Sequence, residues 1–277
     1  MMFTSKGARE VQKTRYLGDL PTIQCRNMDC TNLTEKDAVF GGNDILYRKL
    51  EELYSSGNRT IFISTTCVPG IIGDTSVIVA KKFQNNHPDS TVGCVETSGN
   101  MTGDWESGFI NSSNLLTKYI EEKDAEEGVV NIIGERYFYY FRQRQDLFMP
   151  DILNDFDVKI NTRYLFRSRF DEIKNMDKSV CDIVGLDDYI SDSVVKQLGS
   201  HTRKKQRLIA PVGFKQYSNW TEKLSKIVKP RDSLSKKLDE NDRLNEELSN
   251  NLYKHCHNKR VVVYHEENDR LDWMMDA

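Results

Sequence analysis

The chain has 277 residues, which at roughly 100–200 residues per domain predicts two domains, and its 12 Phe, 12 Tyr and 3 Trp exclude a disordered chain. Lys+Arg 39 nearly balance Asp+Glu 42 for a net charge of −3, so neither nucleic acid nor an anionic membrane surface is expected as a partner. No apolar run approaches the roughly 20 residues a bilayer span needs, and the opening Met1-Met2-Phe3-Thr4-Ser5-Lys6-Gly7 lacks a signal peptide's apolar core, so a cytoplasmic location is expected.

The first readable segment, residues 32–42, ends in Gly41-Gly42. That pair opens a helix over 43–54, marked by Ile45, Leu46, Leu50 and Leu53 at helical spacing. A β-branched run at 60–64 predicts a strand, and a turn containing Gly70, Gly73 and Asp74 leads to a helix over 75–83. A second strand follows at 91–95. The small-polar loop 96–105 leads to a helix marked by Phe109, Leu115, Leu116, Tyr119 and Ile120. The acidic stretch 121–127 reads as a helix end and linker.

Beyond the linker, strands are predicted at 129–133, 180–184 and 208–210. A charged helix over 231–256 carries Leu234, Leu238, Leu244 and Leu248, and a final strand is read at 260–264. Continuous apolar runs of this length suit strands buried on both faces of a parallel sheet. Strand alternating with helix predicts an α/β fold of Rossmann-like, doubly wound parallel-sheet units, two complete and a third only begun. The blocks run over 1–127, 128–229 and 230–277. In such folds the loops after the carboxyl ends of the strands bind ligands.

In a cytoplasmic chain the six cysteines (Cys25, Cys30, Cys67, Cys94, Cys181 and Cys256) are expected to be thiols or metal ligands rather than disulfides. Cys67 sits at the carboxyl end of a strand, before Pro69-Gly70, where backbone amides can face an anionic cluster and favour thiolate. A small buried apolar residue is the alternative reading. Gly41-Gly42 permits close backbone approach but is no phosphate loop, because neither a following Gly-Lys-Ser/Thr nor a GxGxxG pattern is present; a plain turn into a helix is the alternative. Cys25 and Cys30 have the Cys-x₄-Cys spacing of an iron–sulfur site but lack its two further cysteines, so ligands and ordinary loop thiols both stay open. Cys94 and Cys181 lie within strands and read as core. His255-Cys256-His257 reads as a helix C-terminal cap. Arg142, Arg144, Arg163, Arg167 and Arg169 form a basic stretch read as solvated helix faces, with the lining of an anionic cofactor as the alternative.

Two blocks carry a resemblance. Glu35-Lys36-Asp37-Ala38-Val39-Phe40-Gly41-Gly42 and Thr66-Cys67-Val68-Pro69-Gly70-Ile71-Ile72-Gly73-Asp74 stand in order around one strand. Together they resemble the nitrogenase component 1 family, whose pattern is Glu-x-Asp-x-Val-Phe-Gly-Gly and then Thr-Cys-x-x-x-Ile-Gly-Asp-Asp. Weaker echoes follow at Val130-Asn131-Ile132-Ile133-Gly134-Glu135, at 176–184 and at Ala210-Pro211-Val212-Gly213-Phe214. The family's second Asp after Gly-Asp is Thr75 here.

The resemblance implies an iron–sulfur cluster shared between two subunits, with Cys67 as a ligand and Gly41, Gly42, Gly70 and Gly73 shaping the backbone around it. It implies a homologous or paired component 1-type partner and an ATP-dependent iron–sulfur reductase as electron donor. Trp105 and Gly108 would line the cofactor cavity or approach the partner, with a plain surface loop as the alternative. The family's cofactor-binding cysteine would fall near Leu186, which cannot bind metal. One cysteine cannot hold a four-iron cluster, which takes about four thiolates. The expected function is therefore an oxidoreductase subunit that holds or shares a cluster at an interface. A scaffold for cofactor assembly and a metal-free α/β binding module are the alternatives.

Overall fold

Two groups of β-branched runs become two separate parallel sheets. The computed structural model describes residues 2–3, 29–98, 105–135, 145–166, 168–185, 188–199, 201, 206–211 and 213–260. The chain divides into two units, Met1–Lys118 and Tyr119–Ala277.

Unit 1 runs β1 (Met2–Phe3), α1 (Glu35–Phe40), α2 (Asn43–Ser55), β2 (Thr60–Thr65), α3 (Cys67–Ile72), α4 (Ser76–Asn86), β3 (Thr91–Val95) and α5 (Trp105–Thr117). Its sheet has the order β1-β2-β3, all parallel. Leu46 and Leu50 of α2 meet Ile61 and Ile63 of β2 and Val79, Ala80 and Phe83 of α4 in one core. Tyr47 and Tyr54 stand edge-on to the Phe83 ring, at centroid distances of 5.6 and 6.0 Å, the favoured geometry for aromatic quadrupoles. β2 is not buried on both faces as its apolar run suggests. Its residues alternate, because the face carrying Phe62 and Ser64 is only half covered. Gly93 is required by close approach there, since a Cβ would stand 2.7 Å from Cδ1 of Phe62.

Unit 2 runs β4 (Val129–Ile133), α6 (Gln145–Leu153), β5 (Lys159–Arg163), α7 (Phe170–Lys174), a 3₁₀ turn (Met176–Lys178), β6 (Cys181–Val184), α8 (Tyr189–Leu198), β7 (Gln206–Ile209), α9 (Phe214–Ser225) and α10 (Ser233–Cys256). The sheet order is β5-β4-β6-β7, again all parallel. β4 and β6 are buried at every position, which explains their unbroken apolar runs. β5 has no such run: it is an edge strand with a single buried residue, Thr162, and its sequence Lys-Ile-Asn-Thr-Arg hides it. Val130, Ile132, Ile183, Phe156, Trp220 and Leu224 lead the core.

A polar knot sits inside that core. The Asn131 amide donates towards the Met176 carbonyl (2.9 Å), Ser179 Oγ (2.7 Å) and Asp182 Oδ1 (2.8 Å), and Asn131 Oδ1 accepts from the Asn161 amide (2.9 Å). Leu234 anchors the start of α10 in the core, while every residue from Glu246 to Cys256 is exposed. Residues 261–264 of the expected last strand lie outside the described residues.

Candidate functional site

Residues 34–42 fold as a capped helix followed by a glycine hinge. Thr34 caps α1 in a reciprocal box with Asp37, whose carboxylate accepts the Thr34 amide at 2.8 Å. Gly41 ends α1 at φ +92°, a conformation that disfavours a side chain, and a Cβ there would lie 3.3 Å from Asp74 Oδ1. The buried Gly42 amide, which opens α2, donates to both Asp74 oxygens, at 3.1 and 2.9 Å.

Asp74 directly follows Gly73, which ends α3 in the left-handed conformation (φ 75°, ψ 25°). A second, longer contact runs from the Asn43 side-chain amide to Thr75 Oγ1 at 3.4 Å. The two sequence blocks flanking β2 are thus stitched together by one carboxylate, and α1 packs against α3. The sequence marks Asp74 only as the end of a block. Its partner is thirty-two residues away, and only the fold reveals the bond.

Cys67 is the first residue of α3, at the tip of β2, and follows Thr66 in extended conformation. The expected Pro69-Gly70 turn is instead helix: Pro69 sits in the first turn, where a missing N–H is harmless, and the Gly70 amide donates to the Thr66 carbonyl. Cys67 is half-buried with a free thiol. Apolar side chains that water should disfavour lie on its own helix and on the helix that touches it. Val68 and Ile71 of α3 are 37% and 66% exposed, and Val39 and Phe40 of α1 are 76% and 79% exposed. These four exposed apolar side chains lie on two helices that touch.

The other candidates are dispersed. Cys30 is buried, its thiol donating to Asn32 Oδ1 at 2.8 Å, while Cys25 lies outside the described residues. Burial, reinforced by the Glu96 charge, pushes the Cys94 thiol up to about 12. Burial beside the Asp182 charge does the same at Cys181, again to about 12. Cys256 is exposed at the end of α10, where His255 Nδ1 meets the Asn251 carbonyl at 2.7 Å. Trp105 opens α5, but its side chain lies outside the described residues, as does Leu186. Among the described residues no three His, Cys, Asp or Glu side chains gather in a metal-ligating group. One thiol cannot by itself hold a four-iron cluster, so Cys67 is at most one ligand of such a set.

Unit 2 has its own group at the carboxyl ends of its strands. Arg163, the last residue of β5, grips Glu135 two residues past β4, Nε to Oε2 and Nη2 to Oε1, both at 2.7 Å. The guanidinium lies 4.5 Å from the Phe166 ring centroid, and a Cβ on Gly185, just past β6, would press on Glu135 Cγ at 3.0 Å. Arg163 is thus a sheet-edge ion-pair residue and not the solvated helix residue that the basic stretch suggests. Arg169 is exposed and pairs with Asp171, while Arg142, Arg144 and Arg167 lie outside the described residues.

A family model described as nitrogenase component 1 type oxidoreductase matches residues 11–276. The nitrogenase iron-molybdenum cofactor biosynthesis protein NifE of Clostridium pasteurianum is 26% identical over 63% of this chain and 38% of its own length. The nitrogenase iron-iron protein alpha chain of Rhodobacter capsulatus is 23% identical over 68% of this chain and 37% of its own. A NifE protein of Methanococcus maripaludis is 28% identical over 76% and 47%. The chain thus spans less than half the length of these relatives. Among solved structures, one titled nitrogenase Cp1 at pH 6.5 superposes with a TM-score of 0.68 at 17% identity, covering 92% of this chain and 50% of that one. A second, at pH 5, gives 0.66 at 18% identity over 81% and 46%. These likenesses establish the Rossmann-like α/β fold.

Proposed function

The chain belongs to the nitrogenase component 1 type oxidoreductases, and from that premise we propose that it contributes Cys67 as a single thiolate to an iron–sulfur cluster shared with a second component 1-type chain. The observation that carries this reading is the half-buried Cys67 on a helix with exposed Val68 and Ile71, touched by a helix with exposed Val39 and Phe40. A lone thiol on an apolar, water-facing surface makes sense when a second chain covers it and supplies the remaining ligands.

A bound cluster would store and pass on an electron delivered by an ATP-dependent iron–sulfur reductase. The chain's own residues hold the thiol in place. Asp74 fixes the end of α3 to the Gly42 hinge, Gly73 lets the chain turn, and Pro69 stiffens the first turn that carries Cys67. The apolar surface excludes water once the partner docks, which strengthens every charge interaction inside.

The test is anaerobic co-purification with a component 1-type partner, followed by iron and sulfide analysis. Wild type should carry both, Cys67→Ala should lose most of each, and Cys256→Ala should lose neither. Equal iron in wild type and Cys67→Ala would defeat the reading.

A second use of the same surface is favoured by the relatives named for cofactor biosynthesis. In that reading the pair holds a cluster or cofactor precursor and hands it on. Turnover with reductase and ATP separates the two, since a scaffold transfers its cluster and reduces nothing.

A further inference from the structure

The ladder between β2 and β3 runs as far as the pair Ser64–Val95. Two residues further on, Thr97 continues it with its side chain. The Thr97 hydroxyl donates to the Thr65 carbonyl at 2.7 Å, and the Thr97 amide donates to Thr65 Oγ1 at 3.0 Å. Thr65 is buried, so its carbonyl needs a partner inside the protein. Ser64 Oγ lies 2.6 Å from Thr97 Oγ1. The Thr97 proton is committed to Thr65, so at this contact Ser64 donates. The Thr97 methyl lies near the first turn of α5, where a Cβ on Gly108 would stand 3.7 Å from it.

The place of this tie along the chain gives it reach. Thr65 ends β2, Thr66 stays extended, and Cys67 opens α3. At the far end of α3, the Asp74 carboxylate takes the Gly42 amide. The helix that carries the thiol has 6 residues, too short to keep its direction without support. It is held just before its first residue by Thr97 and just after its last by Asp74.

We propose, on the reading of Cys67 as a cluster ligand, that Thr97 is a positioning residue for the Cys67 thiol and acts through the Thr65 carbonyl. A ligand shared with a second chain has to stand in place before that chain docks, because ordering it on binding would cost affinity. The hydroxyl is the part that matters: it closes the ladder at the strand tip, while the methyl only fills space beside α5.

The test is alkylation of the full, metal-free chain with iodoacetamide near pH 8, followed by peptide mapping. Thr97→Val keeps the side-chain shape and the amide bond and loses the hydroxyl. It should speed Cys67 labelling about fivefold, the factor that corresponds to one lost hydrogen bond of ordinary net strength. Cys256, exposed at the end of α10, should label as in wild type and serves as the standard within the same molecule. Thr65→Val, which removes the acceptor of the Thr97 amide, should act in the same direction. Thr97→Ser keeps the hydroxyl without the methyl and should restore the wild-type rate. Val79→Ala loosens the unit 1 core and should leave Cys67 labelling unchanged. Cys67 labelling indifferent to Thr97→Val, no recovery in Thr97→Ser, or equal acceleration by Val79→Ala would overturn the proposal. Equal iron in the co-purified wild type and Cys67→Ala would instead defeat the cluster reading and leave the labelling result standing.

Discussion

The Asp74 carboxylate accepts the Gly42 amide through both of its oxygens, at 2.9 and 3.1 Å, and so joins the loop before α2 to the loop after α3. Hydrogen bonds from an amide to a charged acceptor contribute about 1.5–3 kcal/mol, so Asp74→Ala should destabilise unit 1 by about 2 kcal/mol in urea denaturation. Asp74→Asn, which keeps an acceptor, should recover part of that. An unshifted midpoint for Asp74→Ala would show that the bond holds nothing.

Phe40 and Ile71 present apolar surface to water, so Phe40→Asp and Ile71→Asp should leave the isolated chain within about 0.5 kcal/mol of wild type. Both should abolish co-purification with a component 1-type partner. Retained pairing in the double variant would remove this surface from the interface.

The Glu135–Arg163 fork is nearly shielded from water, the side chains being 9% and 16% exposed. Removing one partner strands the other charge, and Arg163→Met should cost about 3 kcal/mol. Glu135→Gln with Arg163→Met together should cost clearly less than the two single changes summed. A thermal-denaturation double-mutant cycle reads the coupling, and additive losses would contradict it.

Hydrogen bonds from Lys123 and Lys174 hold the Glu121 carboxyl down at about 2, against an ordinary value of 4.5. A carboxylate with a depressed pKa stabilises the fold above the unfolded value, and that contribution drains away as pH falls from about 4.5 towards 2. Glu121→Gln should therefore flatten the stability profile across that window and leave its shape above pH 5 unchanged. The pair is exposed, so the effect is small and weakens in salt. An identical acid limb in the variant would remove Glu121 as a contributor.

The thiols should sort by burial and by thiolate content. Alkylation of the folded chain near pH 8 should reach Cys67 and Cys256 well before the buried Cys30 and Cys181 and before Cys94, whose thiol is pushed up to about 12, as peptide mapping would show. Cys94 and Cys181, both raised to about 12, keep their protons in the fold. Their contribution to stability is present below about pH 9 and lost as pH rises towards 12. Rapid labelling of Cys181 would mean that β6 opens readily.

The sequence shows where strands are buried on both sides, because burial forces an unbroken apolar run: β4 is found at the residues its run predicts. It hides β5, whose single buried residue leaves no such trace. The positions of Cys67 at a strand tip and of Gly41-Gly42 at a helix start were legible in the sequence. Asp74 as the bond between the blocks was not, because a contact across thirty-two residues leaves no local pattern. Arg163 looked like one more solvated cation, since nothing in its neighbourhood along the chain announces Glu135.

Asn131 has a further effect on unit 2. A strand that slid by two residues along β4 would keep its side chains on the proper face, and apolar packing alone would tolerate it poorly but not forbid it. The slide would carry Ser179 and Asp182 away from the amide and leave it stranded in hydrocarbon. Asn131→Leu should therefore yield a chain that still collapses yet populates misaligned sheets, so the amide's contribution is the uniqueness of the fold more than its strength.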